Sequence, residues 1–292
     1  MNSENCLVCR DINLERLLFG YSRYYSNFFH LVAICQNCGH IQQHPTYSPD
    51  ELREINDRFF NEHYLKNFQI NSFDATRKLK KLDRILKEKI KSGMNVLDIG
   101  AGEAWTLEYF QKKNCSYFAV EAVDKLSASI EERGGKVIAN DIYDLQKNST
   151  IKFDIIIFRH LLEHLLDPKT ALEIVKNQLS SGGLIYLAVP NAERPSIKKG
   201  FRTSFIRPVH ISYFCETNLR RLCASAGLEA YQLDSGGEIV ALLRVGIDNV
   251  IFPNCYATQK KIFLSKAKEA RTIDGINFLT NSLKALKKRL VD

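Results

Sequence analysis

Glycine and proline are scarce, 15 and 7 in 292 residues, which excludes collagen-like and low-complexity chains. Nowhere does an apolar run approach the roughly 18 to 20 residues of a membrane-spanning helix. The longest, around Ile155 to Phe158, stops at Arg159 and His160. The opening MNSENCLVCR lacks the apolar stretch of a secretion signal, so a cytoplasmic protein is expected. Its eight cysteines then meet a reducing compartment, where paired cysteines point to metal or catalysis before disulfides. What is present is ordinary for a soluble globular chain: 45% hydrophobic and 25% charged residues. At about 150 residues per domain, this length suits one large domain or two unequal ones.

The net charge of +8 invites a nucleic-acid reading, and its distribution argues against it. Residues 1–72 carry 6 Lys/Arg against 8 Asp/Glu, residues 73–245 carry 26 against 21, and residues 246–292 carry 9 against 4. The N-terminal segment is thus slightly acidic and poorly suited to gripping a phosphate backbone.

That segment holds the strongest metal signal. Cys6-Leu-Val-Cys9 and Cys35-Gln-Asn-Cys38-Gly39 are two C-x2-C knuckles separated by 25 residues that include the strand-like Leu31-Val32-Ala33-Ile34. Each knuckle can place two thiolates about 2.3 Å from one zinc ion, and Gly39 permits the tight turn that aims backbone NH groups at sulfur. A redox dithiol is the other reading of such pairs. With Cys6, Cys9, Cys35 and Cys38 all engaged, no open position is left for catalysis, so the metal is expected to build fold. Cys115, Cys215, Cys223 and Cys255 read as isolated core or surface residues.

After the knuckles, Ser48-Pro49-Asp50-Glu51-Leu52 reads as a helix start with Ser48 as cap. The aromatic stretch through Phe59, Phe60, His63, Tyr64 and Phe68 reads as packing between modules, or else as a pocket lining supplied by His63 or Tyr64. A basic helix follows from Phe73 to Lys91, with Leu79, Leu82, Ile85, Leu86 and Ile90 on one face.

From Met94 short apolar runs alternate with helical stretches, which argues for a parallel sheet covered by helices on both faces. Strands are expected at Asn95–Ile99, Tyr117–Glu121, Lys136–Ala139, Asp154–Phe158 and Leu184–Val189. A closing hairpin is expected at Glu229–Leu233 and Glu238–Val245 around Ser235-Gly236-Gly237. In VLDIGAGEA, residues 96–104, a strand ends at Asp98, turns through Gly100 and Gly102, and enters a helix at Glu103. A dinucleotide site wants glycines for pyrophosphate, whereas Asp98 would repel phosphate and suits an ammonium group, and Ala104 replaces the third glycine.

Seven such strands with a final hairpin resemble the α/β, Rossmann-like fold of class I S-adenosylmethionine-dependent methyltransferases. The resemblance implies that the amino-acid end of the cofactor lies near Asp98, Gly100 and Gly102. It also implies that Glu121, 19 residues after Gly102, accepts the ribose hydroxyls, and that Asp141 and Ile142 hold the adenine.

The fourth strand runs into Arg159-His160-Leu-Leu-Glu163-His164. As a bare string His160 to His164 matches H-x-x-E-H, the inverted zinc-peptidase motif, but its place beside a cofactor turn speaks against that. The family often carries Leu-Glu-His here without metal. Some quinone-biosynthesis members hold a divalent ion with this Glu-His pair and a preceding Glu, whose place His160 takes. Glu163 and His164 are therefore read as loop supports, with ion binding left open. Between Pro190 and His210 five basic residues (Arg194, Lys198, Lys199, Arg202, Arg207) face one acid, Glu193, which implies a small anionic acceptor.

Together with His210-Ile-Ser-Tyr213-Phe214, these motifs resemble bacterial methyltransferases that carry an N-terminal four-cysteine zinc module and act on nucleotide-linked sugars. That resemblance implies His210 as general base, His160 as second candidate and Tyr213 as an orienting hydroxyl. The chain has Val209 where those sugar C-methyltransferases carry Glu, so O-methylation is at least as well supported as C-methylation. A ribosomal RNA methyltransferase and a catalytically inactive cofactor-binding protein are the alternatives. The expected organisation is a zinc ribbon with linker helix over 1–72, a methyltransferase domain over 73–245 and a basic helical tail over 246–292, the tail packing on the domain or forming a homodimer.

Overall fold

The computed structural model describes residues 5–22, 28–59, 72–148, 151–198, 200–201, 205–248 and 250–275. Among these residues no helix is long and apolar enough to cross a membrane.

The larger of two sheets has seven strands. These are β4 (Asn95–Ile99), β5 (Ser116–Val120), β6 (Lys136–Ala139), β7 (Phe153–Arg159), β8 (Leu179–Pro190), β10 (Leu228–Ser235) and β11 (Glu238–Val245), in the order β10-β11-β8-β7-β4-β5-β6. From β8 to β6 the pairings are parallel, and β11 and β10 add antiparallel at the other edge. The expected strands and hairpin are therefore all present, with ends displaced by a few residues. β7 shows why the centre is parallel: Ile155, Ile156, Ile157 and Phe158 are all buried, as a strand covered on both faces requires. Alternation divides them. Ile156 and Phe158 join the core under α5 (Leu145–Asn148), α6 (Pro168–Gln178) and α7 (Glu216–Ser225). Ile155 and Ile157 join the core under α2 (Ser72–Leu86), α3 (Leu107–Gln111) and α4 (Asp124–Glu132). The basic helix is thus α2, extended by a 3-10 turn at Lys87–Lys89, with Leu82, Ile85 and Leu86 turned inward.

The smaller sheet comprises β1 (Leu14–Ser22), β2 (Phe28–Cys35), β3 (Ile41–Gln43) and β9 (Ser212–Tyr213), paired antiparallel in that order. Its fourth strand comes from the segment that carries His210, so the N-terminal module and that segment share one sheet. α1 (Pro49–Phe59) opens with a capping box: Ser48 Oγ accepts from Glu51 N at 3.2 Å, and the Glu51 carboxylate accepts from Ser48 N at 2.7 Å. Phe59 packs with Tyr47, Leu52, Ile55, Val209 and Ile211, whereas Phe60, His63, Tyr64 and Phe68 lie outside the described residues.

The described residues of the basic segment from Pro190 to His210 do not form a solvated loop. Phe201, Phe205, Ile206 and Val209 are buried, leaving Arg194 and Lys198 exposed and Arg207 half-buried. Lys199 and Arg202 lie outside the described residues. The first tail helix, α8 (Tyr256–Glu269), packs on this chain: Phe263 meets Phe201 edge-on at 5.0 Å, and Lys260 pairs with Glu15 at 2.7 Å. Residues 276–292, where a second tail helix is expected, lie outside the described residues.

Candidate active site

β4, β5, β6, β7 and β8 run parallel, so their carboxyl ends gather at one edge of the sheet. At the end of β4 the chain takes positive φ at Gly100 (68°), Gly102 (57°) and Ala104 (44°). The left-handed φ at Gly100 favours glycine, and a Cβ there would also press on a Leu161 methyl at 3.0 Å. Ala104 in the left-handed region also corrects one expectation. No helix enters at Glu103: α3 starts only at Leu107, because a left-handed residue interrupts helical hydrogen bonding. Arg133 pins this longer turn, donating to the carbonyls of Glu103 (2.9 Å) and Ala104 (2.8 Å).

Glu121 and Asp98 flank the turn. The Glu121 carboxylate accepts from Gly102 N at 2.7 Å and from Val123 N at 2.9 Å. Asp98 is buried, and its Oδ2 accepts from the hydroxyls of Thr106 and Tyr117, both at 2.6 Å. Burial raises the pKa of both acids, partly offset by these hydrogen bonds. Asp141 Oδ1 accepts from Tyr143 N at 2.8 Å and caps the 3-10 turn Ile142–Asp144, in which Ile142 is buried. Acid, turn, second acid and third-strand cap therefore lie along one edge in the order read from the sequence.

At the end of β7, His160 has φ of 52°, a strained setting for a non-glycine residue. Its Nδ1 lies 3.2 Å from Glu163 Oε1 and its Nε2 3.0 Å from Glu238 Oε2. Burial acts to lower its pKa, but the two carboxylates outweigh burial and raise it. Glu238 also accepts from Arg159 at 2.7 Å, and His160 and Arg159 hold its carboxyl well below the usual range against the effect of burial. Arg159 in turn lies over Trp105, 5.7 Å from the ring centroid.

Deeper in, His164 and His210 meet edge to face at 5.0 Å. His210 is only 6% exposed, its Nδ1 lies 3.2 Å from the Phe205 carbonyl, and burial depresses its pKa well below the ordinary histidine value. The buried Tyr213 hydroxyl donates to the Arg207 carbonyl at 3.4 Å, within its own loop.

The four knuckle cysteines converge. Cys6 Sγ is 3.6 Å from Cys38 Sγ, Cys9 Sγ is 3.5 Å from Cys35 Sγ, and all four sulfurs lie within 4.8 Å of one another. Val8 N reaches Cys6 Sγ at 3.4 Å. Gly39, with φ of 76°, turns the second knuckle, and a Cβ there would lie 2.5 Å from the Cys255 carbonyl carbon.

Glu238 is the site residue missed in the sequence. Its one signal was a lone acid opening the apolar strand EIVALLRV; its partners His160 and Arg159 meet it only because β11 pairs beside β8. Thr106 and Tyr117, the supports of Asp98, gave no signal.

Sheet order and turn together define a class I methyltransferase scaffold, and residues 70–233 match the model of a family described as a methyltransferase domain. The match spans more than half of the chain, which belongs to this family and is an S-adenosylmethionine-dependent methyltransferase. Among curated proteins nothing matches. Similar solved structures include an S-adenosylmethionine-dependent methyltransferase from Clostridium acetobutylicum, at 12% identity over 65% of this chain and 98% of that one, with a TM-score of 0.46. Another is the magnesium protoporphyrin IX methyltransferase of Synechocystis with bound SAH, at 13% identity over 66% and 99%, with a TM-score of 0.49. A third is a methyltransferase from Mesorhizobium loti, at 13% identity over 55% and 96%, with a TM-score of 0.44.

Proposed function

We propose that this chain methylates a small anionic acceptor, a nucleotide-linked or otherwise phosphorylated sugar, with the cofactor along the β4–β6 edge and the acceptor over β7 and β8. The observation that carries the cofactor placement is the Glu121 carboxylate, hydrogen-bonded to Gly102 N beside the glycine turn. Its two oxygens suit a pair of ribose hydroxyls. Gly100 and Gly102 let the backbone approach the amino-acid end, Asp98 supplies negative charge beneath its ammonium, and Asp141 and Ile142 border the adenine.

Bound S-adenosylmethionine supplies a methyl group already activated by its sulfonium, so the protein has only to align the acceptor and take its proton. His160 is the better base. A third of its side chain, 34%, is exposed, whereas His210 is buried. The imidazolium formed when His160 takes the proton is held between Glu163 and Glu238, one facing each nitrogen. Arg194, Lys198 and Arg207 supply the positive charge for a phosphorylated acceptor. The four thiols suit one structural zinc ion, since so many sulfurs in contact need a cation to carry thiolate charge.

Methyl transfer from labelled S-adenosylmethionine to a panel of nucleotide sugars and to ribosomal RNA tests the proposal. Label on a nucleotide sugar is expected. Label on RNA alone overturns the acceptor class, and bound cofactor with no turnover on either overturns catalysis. His160→Ala is expected to lower turnover roughly 100-fold or more with cofactor affinity unchanged; undiminished turnover removes it as the base.

A further inference from the structure

Cys215 and Cys255 are isolated in the sequence and meet in the structure. Both are free, Cys215 fully buried and Cys255 half-buried, and each stands at the N-cap of a helix, α7 for Cys215 and α8 for Cys255. The two thiols are hydrogen-bonded to each other, and the Thr217 hydroxyl in the first turn of α7 also reaches Cys255. Further along α7, Arg221 grips the chain just before Cys255, donating to the carbonyls of Phe252 at 2.7 Å and Pro253 at 3.5 Å. We propose that Cys215 and Cys255 are a reversible redox pair, closed to a disulfide by a hydroperoxide and reopened by a small dithiol, that fastens the start of α8 to the chain just after β9.

The two members are unlike, which suits attack by one and resolution by the other. Cys255 is the accessible one, and its sulfur sits at the start of a 14-residue helix, whose dipole favours an anion. The hydrogen bond from Cys215 brings the Cys255 thiol down to about 6, with Thr217 assisting and burial and Glu193 opposing. The Pro253 carbonyl, 3.6 Å from Cys255 Sγ, is a partner only for the protonated form. Cys215 is pushed the other way, because it keeps the shared proton and burial adds to the rise. In Cys115 and Cys223 burial raises the thiol, so both stay protonated and slow to react.

The Cys255 thiolate attacks an oxygen of the hydroperoxide. The O–O bond breaks, a sulfur–oxygen bond forms, and the departing oxyanion takes a proton from water. Cys215 then attacks the sulfenic sulfur, the S–O bond breaks, and the hydroxide leaves with the Cys215 proton as water. Two electrons pass from sulfur to the peroxide oxygens, and a dithiol returns them. The sulfurs have only to close from hydrogen-bonding contact to about 2.05 Å.

α8 lies on the segment after Pro190, where Phe263 meets Phe201 and Gln259 donates to Glu193 at 2.9 Å. Ala192 N donates to the carbonyl of Phe214, next to Cys215, at 2.8 Å. The disulfide therefore pins α8 at the point where that segment is anchored. If the segment binds the acceptor as proposed, oxidation also slows acceptor exchange; the disulfide itself does not depend on that reading.

The test treats the full-length chain, supplied with zinc and free of cofactor and acceptor, with one equivalent of hydrogen peroxide, followed by alkylation and peptide mass spectrometry. A peptide linking Cys215 to Cys255 is expected, reversed by dithiothreitol. It should form roughly 10-fold or more faster than Cys115 or Cys223 is oxidised, and amides at the start of α8 should exchange more slowly in the oxidised chain. Cys215→Ser should leave Cys255 as a sulfenic acid that dimedone traps, and Cys255→Ser should abolish both products. Disulfides confined to Cys6, Cys9, Cys35 and Cys38, or oxidation of Cys115 as fast as that of Cys255, overturn the pair. Should either variant misfold, the wild-type linkage and its rate decide alone.

Discussion

Glu121 shows how a single residue trades stability for binding. Burial raises its pKa above the ordinary carboxylate value, with the backbone NH groups of Val123 and Gly102 working against the shift. Because the folded pKa exceeds the unfolded one, the native state binds more protons between the two values, and stability falls as pH rises through that window. Glu121→Gln removes this cost together with the charge-assisted bonds to ribose that the proposed cofactor placement gives it. The melting temperature at neutral pH should not fall, while cofactor affinity drops by roughly 10-fold or more, the size of one lost charged hydrogen bond. In the wild type, affinity should begin to fall on acidification at a pH above the ordinary carboxylate value of 4.5, as Glu121 protonates. Calorimetry across pH and a thermal melt check both. Glu121, Asp98 and the glycines were legible because a strand-turn-helix-strand unit fixes their spacing along the chain. Glu238 was not, because its role depends on which strand β11 joins, and an apolar run does not name its neighbour.

Gly39 illustrates an element whose local signal was readable and whose packing was not. The C-x2-C-G pattern called for a left-handed turn, which φ of 76° supplies. Nothing nearby in the sequence announces that the chain at Cys255 and Tyr256, entering α8, presses on that turn, 2.5 Å and 2.6 Å from where a Cβ would stand. Gly93 serves as control, with φ of 84° and nothing within 4 Å of its Cβ position. Gly93→Ala should cost only the left-handed backbone penalty, roughly 1 to 2 kcal/mol. Gly39→Ala should cost that and more, because the start of α8 must move away, and should speed release of metal from the cysteines. Equal destabilisation of the two variants in chemical denaturation would mean that α8 is not held against the knuckle.

At the scale of the whole molecule, the three segments expected from charge and motif, 1–72, 73–245 and 246–292, are knitted together by hydrogen bonds that periodicity does not reveal. β3 pairs with β9 at Ile41 with Tyr213 and Gln42 with Ser212, and one residue joins that seam to the site. Ile211 accepts from Gln43 N at 2.8 Å through its carbonyl and donates at 2.7 Å to the carbonyl of Glu163 through its NH. The cysteine knuckles therefore brace the segment bearing His210, and their only ion pair to the loop after β7 is the exposed Arg10–Asp167 contact at 3.3 Å among the described residues. The glycine turn and Glu121 instead find their hydrogen-bond partners in Val120 of β5, Ala139 of β6, Val123 and Arg133. With zinc on the four cysteines as proposed, its removal should thus act unequally on the two halves of the reaction. Chelation, or Cys35→Ser, is expected to raise the acceptor KM and lower kcat by loosening β9, with cofactor affinity changed by less than about threefold. The measurement is calorimetric cofactor binding beside steady-state kinetics on the same preparation, with residual sheet structure followed by circular dichroism. If acceptor and cofactor affinities fall together, the ribbon stabilises the domain as a whole and Ile211 does not channel its effect.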